Sequence, residues 1–274
     1  MPALDETFPV IVARDVEKHF TLNRRGSEIG LQRKRHSTKV AALNSVPFAV
    51  SAGESVGVIG RNGSGKSTLL SLIAGHLKPS SGEIRVRYQP TLLTVNTAQM
   101  SQLSGRDNIK LGLLAKGLAP EVVEKKLPEV EEWADIGNAI ARPLGSYSSG
   151  QRARLNFAIA TAVEADILLV DEALSTGDAA FSFKAKQRMR RLLENSGVVF
   201  IVSHAPGTIE QHCNRCLWLH EGDLIADGPT KTVTYHYKNW VKLCAHPDKT
   251  HAATYIESVR ESYEKPIIRF ASEL

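Results

Sequence analysis

The segment SVGVIGRNGSGKSTLLSLIAG, residues 55–75, constrains the fold more than any other part of the chain. A short run rich in valine leads into a glycine-rich loop. That loop opens a stretch with Leu69, Leu70, Leu72 and Ile73 on one side. Such a run suits a strand buried on both faces, and the periodicity after it suits a helix. Gly60, Gly63 and Gly65 let the backbone curl so that successive N–H groups converge, in the pattern G-x-x-x-x-G-K-S. Lys66 adds a point charge, and the Ser67 hydroxyl is a hard oxygen ligand of the kind Mg²⁺ takes. Arg61, Asn62 and Ser64 fill the loop and Thr68 follows it. The pattern and its context predict binding of a nucleoside triphosphate, ATP with Mg²⁺, at the N-terminus of the helix.

The remaining chain alternates strands and helices. Residues 9–20 read as a strand with a polar turn, and 40–54 as an alternating strand closed by a turn at Ala52 and Gly53. Residues 104–164 are helical in pattern, with breaks around 117–120, 137 and 143–145. DILLV (166–170) and VVFIVSH (198–204) read as buried strands on either side of an amphipathic helix. CLWLHEGDLIADG (216–228) reads as a hairpin turning at Glu221-Gly222-Asp223. This order predicts an α/β fold with a mostly parallel sheet. The tail after Gly228 is polar with weak helical periodicity.

Three further features carry chemistry. The strand 167–170 delivers Asp171 and Glu172 at its C-terminal end, where ligands bind in such sheets. Asp171 is placed to hold Mg²⁺, directly or through water, and Glu172 to polarise an attacking water as general base. His204 ends the neighbouring strand and can donate a hydrogen bond to a γ-phosphate as charge develops. The stretch YSSGQRARLNFAIA (147–160) places a small-residue turn before a segment with two arginines and an apolar face. Its N–H groups form a second phosphate site, which one nucleotide does not need.

Together these features resemble the nucleotide-binding subunits of ATP-binding cassette (ABC) transporters across most of residues 10–230. YSSGQ (147–151) is similar to that family's L-S-G-G-Q signature, with Tyr147 for leucine and Ser149 for the first glycine. ALSTGD, ending in Asp178, is similar to its dimer-contact loop, and His204 matches its switch histidine. The resemblance implies a P-loop cassette with an antiparallel β subdomain and a helical subdomain at about 104–160. It also implies two copies facing head to tail, each nucleotide lying between Lys66 and its loop on one copy and Ser148, Ser149, Gly150 and Gln151 on the other. The family's Mg²⁺-sensing glutamine falls on Gln99 or Gln102, of which Gln99 is the preferred assignment. Phe20 is either the aromatic that stacks on adenine or a core phenylalanine.

A narrower resemblance is to ATPases that export bacterial cell-surface polysaccharides, nearest to the teichoic-acid type. It rests on QLSGRDNI (102–109), RPLGSYSSGQRARLNFAI (142–159), VDEALSTGDAAFSFK (170–184) and VSHAPGTIEQHCNRCLWLHEGDLIADG (202–228). In that group a basic insertion follows the first strand. Here residues 21–39 hold Arg24, Arg25, Arg33, Lys34, Arg35 and Lys39 against Glu28 alone. This is either a solvated loop or a strip facing anionic lipid or a phosphorylated polymer. The implied organisation is a cassette over 1–230 and a C-terminal tail over 231–274. The implied partners are a second copy, a separate polytopic membrane permease and its lipid-linked polysaccharide, at the cytoplasmic face of the membrane. The short tail implies export without recognition of a terminal sugar modification.

The chain has 274 residues, 42% hydrophobic, with a formal charge of +5. It shows no run of about 18 uncharged apolar residues and no basic-then-apolar leader. Three cysteines give no even disulfide framework, and HCNRC (212–216) lacks a second ligand pair at zinc spacing. The mild basic charge leaves open a soluble cassette ATPase acting on nucleic acid or ribosomes. Such proteins carry two cassettes or a long coiled coil, and neither is found here, so no nucleic acid partner is expected. A nucleotide-binding regulator without turnover is the third reading, which Glu172 opposes.

Overall fold

The computed structural model describes residues 8–23, 37–93, 99–171 and 179–269. In chain order the first elements are β1 (Ile11–Asn23), β2 (Ser37–Val50), β3 (Ser55–Ile59), α1 (Lys66–Ile73), β4 (Ser81–Val86) and β5 (Pro90–Leu93). Then come α2 (Gly105–Ala115), α3 (Pro120–Ala134), α4 (Ser149–Ala160), β6 (Ile167–Val170) and α5 (Ala179–Asn195). The last are β7 (Val198–Ser203), α6 (Pro206–His212), β8 (Arg215–His220), β9 (Asp223–Pro229), α7 (Thr230–Cys244) and α8 (Thr250–Ser262). They form two compact units, residues 1–90 with 200–274, and residues 91–199.

In the first unit β2, β1 and β4 make an antiparallel sheet with β1 in the middle. The polar turn expected within residues 9–20 is a bulge: Asp15 sits at φ 45°, and the register shifts between Ala13 and Val16. The strand therefore continues beyond Phe20 to Asn23. A second sheet runs β7-β3-β8-β9, with β3 and β8 parallel and β8 and β9 antiparallel. Every residue of β7 is buried, as an apolar run covered on both faces requires. Glu221 and Gly222 make the hairpin turn at φ 49° and 87°, the left-handed pair that suits the twist of the flanking strands. Gly57 is needed for packing, because a Cβ there would run into the Ile209 side chain of α6.

The tail is more structured than its periodicity suggests. The helices α7 and α8 pack on the β8–β9 hairpin, and Trp240 is buried 5.5 Å from Trp218 and 5.9 Å from Tyr237, ring to ring. One face, with Val233, Tyr237 and Trp240 spaced over two turns, anchors a helix whose other positions are mostly polar.

The second unit contains β5, β6 and the start of β7 in that order. Its helices α2, α3 and α4 enclose a separate core that includes Ile109, Leu113, Val130, Leu155 and Ile159. The breaks expected in the helical stretch coincide with the ends of these helices and two short 3-10 turns. The edge strand β5 is too short to show periodicity in the sequence.

Arg215 ties the strands of the first unit together. Its guanidinium donates to both carboxylate oxygens of Asp227 at 2.6 Å, to the Ala49 carbonyl at 2.8 Å and to Glu54 at 3.2 Å. Asp227 is 5% exposed, and its hydrogen bonds, then its charge, hold Arg215 protonated more firmly than a free arginine. Arg215→Ala strands that carboxylate, so unfolding in urea should show a loss of about 3–5 kcal/mol. Arg215→Lys should recover only part of it, because lysine lacks the planar fork.

Candidate nucleotide site

The phosphate loop runs from the end of β3 into α1, and other segments hold it by backbone. A Cβ on Gly60 would collide with the Leu219 carbonyl of β8 and the Ser64 hydroxyl. Gly65, at φ 102°, caps α1, and a Cβ there would collide with the Ala42 carbonyl of β2. The Gly222 N–H donates to the Ser64 carbonyl at 3.2 Å, and the Asn44 N–H to the Gly222 carbonyl at 2.8 Å. The hairpin turn and β2 thus clamp the loop from two sides.

Lys66 is 8% exposed, and its ammonium donates to the carbonyls of Gly60 (2.7 Å) and Arg61 (2.9 Å). These bonds keep the loop arched around the charge. The buried Ser64 hydroxyl has no hydrogen-bond partner among the described residues. Arg61, Asn62, Gly63 and Ser67 are exposed and Thr68 is half-buried, so the rim faces solvent. Gly63 sits at φ 81°, where a side chain would be strained.

Phe20 is not a core residue: it is 38% exposed, and the Lys18 ammonium lies 5.4 Å from its ring centroid. It pairs with Val40, two residues before Ala42, whose carbonyl abuts Gly65. The exposed aromatic therefore stands on the strand pair that backs the phosphate loop. His204 follows β7 and is exposed.

In the second unit, Ser148 and Gln151 form a reciprocal cap on α4. The Gln151 N–H donates to the Ser148 hydroxyl at 3.2 Å, and the Ser148 N–H to Gln151 Oε1 at 3.1 Å. The cap fixes the turn while Ser148, Ser149 and Gly150 stay exposed. The nearest atom a Cβ on Gly150 would meet is the Ser148 hydroxyl, at 4.0 Å. Tyr147, which stands where the signature has leucine, is buried and donates to the Ala139 carbonyl at 2.7 Å. A Cβ on Gly105 would strike that hydroxyl, so the glycine makes room for tyrosine. The two arginines of the stretch brace the helix instead of facing a ligand. Arg152 donates to the Leu144 carbonyl at 3.3 Å and Arg154 to the Asp135 carbonyl at 2.9 Å.

Asp171, half-buried, directly follows β6. Glu172 and Asp178 lie outside the described residues, as does the basic stretch 24–36. Gln99 donates through its side-chain amide to Asn156 of α4, and Gln102 is exposed. The loop between them is organised by Asn108, 1% exposed, which accepts from the Met100 N–H and donates to the carbonyls of Met100, Leu103 and Ser104. The clamp through Asn44 and Gly222 is not marked by a motif, because it joins backbone contributed by distant sequence; Asn108 acts on its own loop, four to eight residues back. The Cys213 and Cys216 thiols are buried, and burial pushes Cys213 up to about 12 and Cys216 higher still. Among the described residues no three histidine, cysteine or acidic side chains cluster to hold a metal.

The sequence profile described as ABC transporter matches residues 43–175. The teichoic acids export ATP-binding protein TagH of Listeria innocua is 36% identical over 225 residues, which is 82% of this chain and 67% of that protein. Its namesake in Bacillus anthracis is 39% identical over 201 residues, 73% of this chain. The chain spans about a third of the length of that relative, 37%. Two solved structures share the fold. One is a dimeric ATP-binding cassette in a post-hydrolysis state bound to ADP and Pi, with TM-score 0.63 and 22% identity, covering 80% of this chain and 98% of that one. The other is an ATP-binding subunit of an ABC transporter, with TM-score 0.64 and 20% identity, covering 90% and 99%. The chain belongs to the ABC transporter ATPase family.

Proposed function

We propose that this chain is the ATP-hydrolysing subunit of an exporter that moves a lipid-linked cell-surface polymer, teichoic acid or a related polysaccharide, across the bacterial cytoplasmic membrane. It works as a homodimer at the cytoplasmic face, on a separate polytopic permease. No helix among the described residues is long and apolar enough to cross a membrane. The observation that carries the reading is Gly150. Nothing among the described residues requires a glycine there, since the space beside it is open and Ser148 and Ser149 are exposed. What needs that space comes from outside: the triphosphate held by the phosphate loop of a second copy.

In this reading the backbone N–H groups of the loop and Lys66 hold the β- and γ-phosphates, and Phe20 stacks on adenine. The second copy adds Ser148, Ser149 and Gly150, with Gln151 holding the turn in shape, and Asp178 meets the facing copy. Glu172 takes the proton of the attacking water, and His204 stabilises charge on the γ-phosphate. Ser67 and Asp171 offer the hard oxygen donors that suit Mg²⁺, and Gln99 is the third candidate. The bound ion would neutralise charge on the phosphates. The relatives named above support the polymer class, and none of them favours an ATPase working on nucleic acid.

Lys66→Ala should lose ATP binding, while Glu172→Gln should bind ATP and accumulate as a dimer in light scattering. Gly150→Asp puts a carboxylate where phosphate must enter, and hydrolysis should fall by about 100-fold or more with ATP binding by the free subunit retained. Neither Lys66→Ala nor Gly150→Asp alone turns over. Mixed in equal amounts, they create one intact composite site per heterodimer, and about a quarter of wild-type turnover should return. No recovery would mean that each chain completes its own site. In cells, replacing Arg33, Lys34 and Arg35 by alanine should impair polymer export more than ATP hydrolysis. Unchanged export would make the basic strip a solvated loop.

A further inference from the structure

A cavity of about 320 Å³ lies between the β8–β9 hairpin and helices α7 and α8. It is at the small end of the range for ligand pockets and sits apart from the phosphate loop. Its apolar wall is Ile225, Trp240 and Ile256, with the Cys244 thiol beside them. Its polar wall is dominated by negative charge: Glu221, Asp223 and Glu257 face a single guanidinium, Arg260. Arg260 is engaged by Asp223 at 2.5 Å and Glu257 at 3.4 Å. Glu221 and Glu257 remain 85% and 58% exposed, the first with His220 Nε2 at 3.9 Å and the second with Arg260 at 3.4 Å, so each keeps a solvent-facing side for a ligand. The fifth polar group, His220, packs edge-on against Trp240 at 4.7 Å. Burial, foremost, lowers its affinity for a proton, so it adds no compensating charge near neutral pH.

We infer that this cavity binds a small alkyl diamine, one ammonium on Glu221 and Glu257 and the methylenes against Ile225 and Ile256, and that its occupancy tunes the phosphate loop. An anion is excluded by the excess of carboxylates, and a fully polar cation would leave the apolar wall unused. The tuning follows from the turn the two sites share. Glu221 is the rim of the cavity, yet its carbonyl accepts from the Asn44 side-chain amide at 3.3 Å. The next residue, Gly222, donates its N–H to the Ser64 carbonyl of the phosphate loop. A ligand that draws the Glu221 carboxylate inward acts on a turn whose two residues both have positive φ, 49° and 87°. The regulatory half of the inference rests on the loop being a nucleotide site, and the binding half does not.

The test uses the full chain and Cys244, which is half-buried while Cys213 and Cys216 are buried and held protonated. Alkylation of Cys244 by iodoacetamide is followed by peptide mass spectrometry with 1,5-diaminopentane, 1,5-pentanediol or glutarate present. The diamine should slow alkylation saturably, by about tenfold at ten times its dissociation constant, and the neutral and anionic analogues should not. Glu221→Gln with Glu257→Gln, both at exposed side chains, should abolish the protection without altering the circular dichroism spectrum. The diamine should also shift the affinity for a fluorescent ATP analogue by about twofold or more, in a Glu221-dependent way. No protection at millimolar diamine, or equal protection by glutarate, overturns the site. Protection with unchanged nucleotide affinity overturns the tuning. A chain that binds no nucleotide yet shows diamine protection sinks the nucleotide reading and leaves the site standing.

Discussion

The structure depends on one close approach: two carbonyls from distant segments, Leu219 and Ala42, press against Gly60 and Gly65 with no room for a methyl group. A phosphate loop is a strained path for a chain, held only where its surroundings over-determine it. Here they come from β2 before the loop and from the β8–β9 hairpin some 160 residues after it. The hairpin is held in turn by Arg215 across Asp227 and by the aromatic anchor of α7. The C-terminal helices therefore support the hairpin whose turn clamps the loop.

How much of this could be read from the sequence depends on whether the signal is local. The loop, the strands 55–59, 167–170 and 198–203, and the helix breaks between 104 and 164 were legible, because each is a pattern in adjacent residues. The start of α4 was legible for the same reason: a small-residue turn, Ser148 to Gly150, stands directly before it. Asp15 hid a bulge behind a polar pair, since a strand that kinks and a strand that ends look alike in composition. The two tail helices were nearly illegible. Their apolar residues are few, and they are stable only because Trp218 and the hairpin offer them a face to bury. Phe20 could not be settled from sequence because exposure is a tertiary fact. The brace by Asn108 needed knowledge of where four backbone groups of its loop would lie.

The signature turn shows the opposite economy. Its departures from the family pattern are absorbed inside its own unit: Tyr147 fills a hole opened by Gly105, and Arg152 and Arg154 are consumed by carbonyls at helix and turn ends. What the unit leaves exposed is backbone and two hydroxyls. The turn accordingly presents a rigid set of donors without a formal charge, in contrast to the loop, where Lys66 carries one.

That contrast fixes an order of events. An exposed helix N-terminus favours an anion by about 0.3–1 kcal/mol, too little to hold a nucleotide against water. The same donors, once water is excluded, are each worth about 2.7–4 kcal/mol to charge developing in a transition state. In the proposed dimer the phosphate loop, with a full charge and a converging backbone, therefore binds first, and the turn from the second copy counts only at closure. A turn with its own lysine would bind phosphate while open and gain less by closing, since only the difference between open and closed states drives the transition. In the proposed dimer, the absence of formal charge from 147–151 is thus what would allow a nucleotide held by one copy to report, by drawing the other copy shut, that it has arrived.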